Sequence, residues 1–267
     1  MRRSPAVAGQ FYPAQSSELR ALVEEYVTTD VTPRPAIGLM VPHAGYLYSG
    51  AIAGATFAAA VLPPRIILLG PNHTGHGKPM AVAAAGEWVT PLGVTSIDAE
   101  LAGEILAADT VLADDALAHR FEHSLEVQLP FIQVLAAEAR IVPICLAPVP
   151  LERLLELGRV LARVIRAHTE PILLVASSDM THYEPDTTAR RKDRLALDHI
   201  CALDAEGLFA TVVKHNISMC GVVPAVVMLA AAHELGGSQG TVIRYGNSGD
   251  VTGDQAEVVG YSGVLIE

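Results

Sequence analysis

Three short apolar stretches of the chain each run into a motif that contains a histidine. "LMVPH" ends at His43, "ILLGPNH" ends at His73, and "LLVASSDMTH" carries Asp179 before His182. Imidazole is the commonest metal ligand in proteins, and its pKa suits proton transfer near neutrality. A single histidine in such a place is more often a hydrogen-bonded structural residue. Three with matching placement predict a shared site for metal binding or acid–base chemistry.

Two further short segments with polar residues lie at other boundaries between predicted elements. "EHSLEVQLPF" contains Glu122, His123 and Glu126, and "HNISMCG" contains Cys220. Each candidate also has a structural interpretation that the residues leave open. Asp179 could cap the segment after its strand, and Cys220 could be a small buried hydrophobe. His123 and Glu126 fall at helical spacing and could belong to a solvated first turn.

The stretches between these motifs predict the elements that position them. Short, nearly all-apolar runs are typical of strands buried on both faces, and they occur at 36–41, 65–70, 140–146 and 171–177. Segments of helical length lie at 16–27 (with Ser16 or Ser17 as a cap), 50–62, 124–139 and 151–168. Residues 188–235 predict three more helices, and 241–267 a closing pair of strands. The alternation predicts one α/β domain over residues 1–267, with a mainly parallel central sheet flanked by helices. In such sheets ligands bind beyond the carboxyl ends of the strands.

Composition limits the classes of function. The chain has 267 residues, 51% of them apolar, and a net charge of −11, which argues against a nucleic-acid or anionic-membrane surface. Three cysteines without a C-x-x-C motif indicate neither a disulfide framework nor a zinc ribbon. The N-terminus lacks the apolar stretch of a signal peptide, and the apolar runs are too short to span a bilayer. We therefore expect a cytoplasmic protein.

One known catalytic motif occurs in the sequence, but not in the helical context that it needs. "HRFEH" at 119–123 matches the H-x-x-E-H pattern of a zinc peptidase, which needs both histidines on one helix. A helix that begins near Ser124 would leave His119 outside it. Neither a P-loop nor G-x-G-x-x-G nor G-x-S-x-G occurs in the sequence.

The ordered motifs "VPHAGYLYSG", "LLGPNHTG", "EHSLEVQLPF", "SSDMTHY" and "MCGVVP" resemble the Memo family, called AmmeMemoRadiSam system protein B in bacteria and archaea. "AVAGQFYP" resembles the family's N-terminus, so the resemblance covers nearly the whole chain. The family is similar in fold to the class III extradiol (LigB-like) dioxygenases, non-haem iron enzymes that open catechol rings with dioxygen. The resemblance implies this fold and metal ligands at His43, His73 and Cys220. It places Asp179, His182 and His123 around the metal.

The third ligand departs from the dioxygenase pattern of two histidines and a carboxylate. A thiolate at Cys220 is softer, which suits Fe(II) first, with copper or zinc as alternatives. One hypothesis is therefore an iron or copper oxidoreductase that acts on a small, phenolic substrate. His182 would be its general acid or base, and His123 a donor to oxygen at the metal. Asp179 would orient a neighbour or complete the coordination, and Glu126 would steady His123 from a second layer.

The other hypothesis is a non-catalytic subunit. The same pocket would hold a metal or a partner's peptide, beside a radical-SAM enzyme and an AMMECR-type protein, as the bacterial family name implies. The sequence leaves the oligomeric state open, a homodimer included.

Overall fold

The computed structural model describes residues 2–28 and 30–267. Its helices are α1 Ser16–Val27, α2 Tyr46–Ala58, α3 Ala99–Ala108, α4 Leu129–Leu135, α5 Leu151–Arg166, α6 Asp186–Cys201, α7 Ala205–Lys214, α8 Val222–Glu234 and α9 Gly249–Thr252, with a 3₁₀ turn at Glu126–Gln128. Its strands are β1 Arg2–Arg3, β2 Gly38–Val41, β3 Arg65–Pro71, β4 Met80–Val82, β5 Glu87–Thr90, β6 Gly93–Ser96, β7 Ala113–Asp114, β8 Arg140–Leu146, β9 Ile172–Ser177, β10 His182–Glu184, β11 Gly240–Asn247 and β12 Val258–Ile266.

The central sheet is mixed, with a parallel middle. Its strand order is β10-β12-β2-β9-β3-β8-β4-β7, and β11 pairs with β12. Strands β2, β9, β3 and β8 run parallel to one another. Strand β12 is antiparallel to β2, and β4 is antiparallel to β8. A separate small sheet has the order β1-β5-β6. The prediction of an α/β fold with a mainly parallel sheet is confirmed.

The apolar runs form strands because helices cover both faces of the sheet. Along β3, Ile67 and Leu69 pack into the core beneath α3, α5, α7 and α8, whereas Ile66 and Leu68 pack into the core beneath α1, α2 and α4. Successive strand residues point to opposite faces, so a strand covered on both sides needs an apolar residue at every position. The same logic accounts for β2, β8 and β9, which are buried at almost every position.

Several element boundaries differ from the sequence prediction. The helix expected at 124–139 is a 3₁₀ turn followed by the seven-residue α4. Pro130 lies in the first turn of α4, where its missing N–H and fixed φ favour a helix start over a helix interior. Helix α2 begins at Tyr46, four residues before the predicted start. The predicted serine cap of α1 is wrong, because Gln15 precedes that helix and makes no side-chain capping bond. In the described residues, no helix is long and apolar enough to cross a membrane.

Candidate metal centre

The histidine motifs lie at the ends of three adjacent parallel strands. Strands β2, β9 and β3 are neighbours in that order, and their carboxyl ends share one edge. His43, Asp179 and His73 each lie two residues beyond the end of their strand. Backbone N–H of His43 donates to Oδ1 of Asp179 at 2.7 Å, which ties the first two strand ends together. His43, Asp179 and His73 therefore lie at one edge of the sheet.

Cys220 reaches the same edge from the start of α8. Its Sγ lies 3.1 Å from Nε2 of His43 and accepts the backbone N–H of Asp179 at 3.3 Å. Gly221 permits this approach, because a Cβ there would lie 2.4 Å from the carbonyl oxygen of Ser177. The ligand atoms of His43, His73 and Cys220 all lie within 4.8 Å of one another. These three side chains could hold one metal ion.

Hydrogen bonds fix the tautomer of His43. Oγ of Ser177 donates its hydrogen to the carbonyl of Ser124 at 2.7 Å and accepts from Nε2 of Gln128 at 2.9 Å. The same Gln128 nitrogen donates to the carbonyl of Pro42 at 3.0 Å, which sets the orientation of the amide. Since the Ser177 hydroxyl has no hydrogen left, Nδ1 of His43, 2.9 Å away, must be the donor. The Nε2 lone pair of His43 is then free for a metal.

Two more histidines have the same arrangement. Nδ1 of His73 donates to Oε1 of Glu122 at 2.9 Å, and its backbone N–H donates to Oε2 at 2.6 Å. Nδ1 of His182 is 2.8 Å from the carbonyl of Met180 and 3.0 Å from that of Ser218, so it too carries a hydrogen. In the neutral form of each ring, Nε2 is therefore the nitrogen without a hydrogen. His182 also shares a potential metal-binding group with Cys220 and Asp179.

The electrostatics of the site suit a bound cation. Burial, together with the neighbouring histidines, holds the pKa of His43 well below its ordinary value, so its imidazole is neutral at pH 7. Burial and the nearby Asp179 raise the pKa of the Cys220 thiol well above its usual range. Burial also raises the pKa of Asp179 to about 6. A metal ion supplies the positive charge that converts a buried thiol into a thiolate. The donor set therefore fits a metal ion.

Glu122 is the residue of this site that the sequence did not single out for a role. Burial acts to raise its pKa, but the hydrogen bond and charge of His73 outweigh burial and lower it to about 2. The ionised carboxylate accepts backbone N–H groups of His123 and Ser124, each at 3.0 Å. Its neighbour His123 stacks on the His73 ring with centroids 4.9 Å apart, and the Phe11 ring lies 4.7 Å from that of His123. Glu122 thus holds the loop that carries His123 against His73.

Glu126 does not have the position expected of a support for His123. Its carboxylate accepts Nη1 of Arg3 at 2.6 Å, the backbone N–H groups of Ala6 and Val7, and the hydroxyl of Tyr12. These bonds anchor the N-terminal segment (residues 2–12), which supplies Phe11 to the site. The contacts expected between Glu126 and His123 are instead made by Glu122, because the 3₁₀ turn aims Glu126 at the N-terminal segment.

His119 lies outside the candidate metal centre. Its side chain is buried, and among the described residues it shares no potential metal-binding group with His123. The two histidines of "HRFEH" also do not lie on one helix, since residues 119–123 precede the 3₁₀ turn. The peptidase pattern therefore has no structural counterpart here.

Comparison with known proteins identifies the family of this chain. The chain matches the family described as "Memo-like protein" over residues 3–265. This chain belongs to the Memo-like family. It is 45% identical to a MEMO1 family protein of Aquifex aeolicus, with 98% of each chain covered. It is 41% identical to a MEMO1 family protein of Methanopyrus kandleri, with 99% of each covered.

A solved structure shares the fold of this Memo-like protein. It is that of an uncharacterized protein from Escherichia coli K12, with a TM-score of 0.60 and 15% sequence identity. The similarity covers 86% of this chain and 99% of the other. At this identity the likeness concerns the fold alone.

Proposed function

We propose that this Memo-like protein is an oxidoreductase that holds one redox-active metal ion at His43, His73 and Cys220 and acts on a small substrate. The observation that carries the proposal is the convergence of these three ligand atoms within 4.8 Å. Hydrogen bonds to Ser177 and Glu122 orient the two imidazoles before any ion arrives. Such outer partners fix ligand geometry and raise ligand basicity. Two imidazoles and a thiolate suit Fe(II) first, with copper or zinc as alternatives.

The fold supports the further proposal of a class III extradiol dioxygenase-like architecture, formed by the whole chain as one domain in the cytoplasm. Parallel strands that deliver ligands from their carboxyl ends leave one side of the site open to a substrate. When bound, the metal supplies Lewis acidity and a site of electron transfer. The remaining chemistry falls to side chains of the chain itself.

His182 is the residue we propose for proton transfer. Its Nδ1 hydrogen is held by the carbonyls of Met180 and Ser218, so Nε2 is the atom that accepts a proton from a substrate hydroxyl. Asp179 orients the strand ends through its bond to the backbone of His43. His123 lies beside the proposed ligands, with its ring centroid 5.5 Å from that of His43. We propose it as a second proton donor.

Metal content tests the ligand assignment. Protein stripped with a chelator would be loaded with Fe(II) without oxygen, and in parallel with Zn(II) or Cu(I), and bound metal measured by mass spectrometry. We expect one ion per chain, and loss of that ion in His43→Ala, His73→Ala and Cys220→Ala. Cys201→Ala and His76→Ala are matched controls, since neither residue belongs to a potential metal-binding group in the described residues. Unchanged metal content in the three ligand variants would contradict the assignment.

Oxygen uptake tests the reaction. Iron-loaded protein would be mixed with a panel of catechols and other phenols in an oxygen electrode, with the Cys220→Ala variant as the control for free iron. Oxygen uptake that depends on substrate and occurs with the normal chain but not with Cys220→Ala supports the oxidoreductase.

One observation favours the alternative of a non-catalytic subunit. A thiol stands where the dioxygenases have a carboxylate, and Asp179 approaches Nε2 of His43 only to 3.9 Å. If the iron-loaded protein consumes no oxygen with any substrate, the pocket instead serves to bind a metal or a partner's peptide. Co-purification with a radical-SAM enzyme and an AMMECR-type protein would then test that role.

A further inference from the structure

An apolar cavity opens directly beside the candidate metal centre. It has a volume of about 380 Å³, and His73 and Cys220 form part of its wall. Apolar side chains of its lining include Phe209 of α7, Val222 of α8 and Val149 of the loop after β8. This volume lies within the range of small-molecule sites, about 300–1,000 Å³. An apolar cavity of about 150 Å³ accepts one benzene molecule, so this one has room for a body larger than a single ring.

The polar side chains that line the cavity are those of Asn72, His73 and Cys220, and the last two have ligand atoms within 4.8 Å of each other. Within the described ranges 2–28 and 30–267, none of the residues that line it is Asp, Glu, Lys or Arg. Asn72 makes three hydrogen bonds within its own turn: its amide nitrogen donates to the carbonyl of His76, and its oxygen accepts from Thr74 and Gly75, which leaves one amide hydrogen. The ring of His73 and the sulfur of Cys220 are therefore the main polar partners that the lining offers to a ligand.

The mostly apolar lining favours an uncharged ligand over a charged one. A charged group that enters the apolar part would lose its hydration without gaining an ionic partner, which is strongly unfavourable. An apolar group would be favoured there, because it leaves water. One polar group at the end of such a molecule would meet His73 and Cys220. The lining thus discriminates by charge as well as by size.

We propose that this cavity binds the apolar body of an uncharged small molecule, about two fused rings in size, with one polar group directed at His73 and Cys220. The inference rests on the proposed function, in that this molecule would be the substrate of the metal centre. Phe209 is then a specificity-determining residue. It lies on α7 one helical turn before Val213, which is 66% exposed and does not line the cavity.

Binding to the metal-free protein tests the cavity separately from the metal. 2-Naphthol and 6-hydroxy-2-naphthoate have the same two-ring body and differ in one carboxylate. Their affinities would be measured at pH 7 by isothermal titration calorimetry on the full chain after chelation. We expect 2-naphthol to bind at least about tenfold more tightly, since only the naphthoate brings a charge into an apolar site. Equal affinities would overturn the inference.

Substitutions on α7 locate the binding site. Phe209→Asp is expected to weaken 2-naphthol binding by at least about tenfold, because it places a charge in the cavity wall. Val213→Asp on the same helix is the matched control and should leave the affinity unchanged. Val149→Asp gives a second test outside the helices, in case Phe209→Asp fails to fold by circular dichroism. Equal losses in Val213→Asp and in the cavity variants would also overturn the inference.

The two proposals fail in different ways. If naphthol binding follows this pattern while the chain binds no metal, the cavity stands and the proposed function is wrong. If the chain binds one metal ion but the naphthols bind without charge preference, the metal centre stands and the assignment of its substrate class is wrong.

Discussion

His119 is a buried histidine whose ring nitrogens make no hydrogen bond of good geometry within the described residues, and the backbone of Ala81 offers the ring only a weak one. It is 1% exposed, and its ring packs edge-on against Trp88 with centroids 5.6 Å apart. The guanidinium of Arg3 lies over the same Trp88 ring, 4.4 Å from its centroid. Burial, with a smaller contribution from the charge of Arg3, lowers the pKa of His119 from 6.5 to about 4. The folded protein therefore keeps this imidazole neutral down to about pH 4.

This depressed pKa makes the folded state sensitive to acid. Between pH 6.5 and about 4 the unfolded chain binds a proton at His119 that the folded chain does not, so the free energy of unfolding falls as the pH falls. Each unit of pKa difference corresponds to about 1.4 kcal/mol. The interval from 6.5 to about 4 thus costs the folded state about 3 kcal/mol, and the loss is complete only below the folded pKa.

His119→Phe should remove this acid sensitivity and stabilise the protein at neutral pH. The ring has room to enlarge, because His119 and Trp88 line a cavity of about 220 Å³. Replacing polar atoms that lack partners by apolar ones removes a desolvation cost of about 1–3 kcal/mol. We therefore expect the variant to exceed the normal chain by about 1 kcal/mol or more at pH 7.5 and by about 3 kcal/mol further near pH 4.

Urea unfolding from pH 7.5 to 4 provides the measurement. Trp88 is the only tryptophan of the chain and packs on His119, so its fluorescence reports the transition. Both proteins would be kept metal-free with a chelator, and contributions of the other histidines then cancel in the difference. His233→Phe, at an exposed position of α8, is the matched control. A stability difference that is constant across the pH range would refute the buried neutral imidazole.

Three further outcomes are expected. Ser177→Ala should weaken metal binding about 10–100-fold, because it removes the acceptor that orients His43; a chelator competition assay that finds no change would contradict the tautomer assignment. His182→Ala should retain the metal and the fold while any oxygen-dependent activity falls by about 10²–10⁴; loss of the metal would make His182 a ligand. Arg3→Met should destabilise the protein by about 3–5 kcal/mol, because it leaves the carboxylate of Glu126 buried and unpaired. Adding Glu126→Gln to that variant should recover part of the loss in urea unfolding, and no recovery would contradict a dominant charge effect.

The sequence predicts the middle of this fold well because the middle is governed by local pattern. Runs such as 65–70 and 171–177 are apolar at nearly every position, and this is what burial between two helical layers requires. The prediction is weaker at the end of the central sheet that holds β4 and β7, and in the separate small sheet that holds β5 and β6. Strands β4 to β7 have only two to four residues each, and so short a segment carries little periodicity.

In the candidate site, too, the sequence identifies some residues and misses others. Histidines that follow an apolar run can be recognised from the sequence alone, as His43 and His73 were. Glu122 and Ser177 could not be assigned, because their roles depend on partners 49 and 134 residues away along the chain. Glu126 was misassigned for the same reason, since spacing suggested a local contact and its carboxylate binds Arg3 across 123 residues. The adjacency of Glu122 to His123 was the signal that could have identified it.

The ion pair of Arg3 and Glu126 limits when the N-terminal segment can dock while the chain is being synthesised. Arg3 is made before its partner, which follows 123 residues later, and this interval takes about 6–25 s at about 5–20 residues per second. Until then the N-terminal segment has no carboxylate to dock on, and Phe11 cannot pack against His123. Cys220 is translated later still. The proposed ligand set of His43, His73 and Cys220 is therefore complete only after all of these segments have been made.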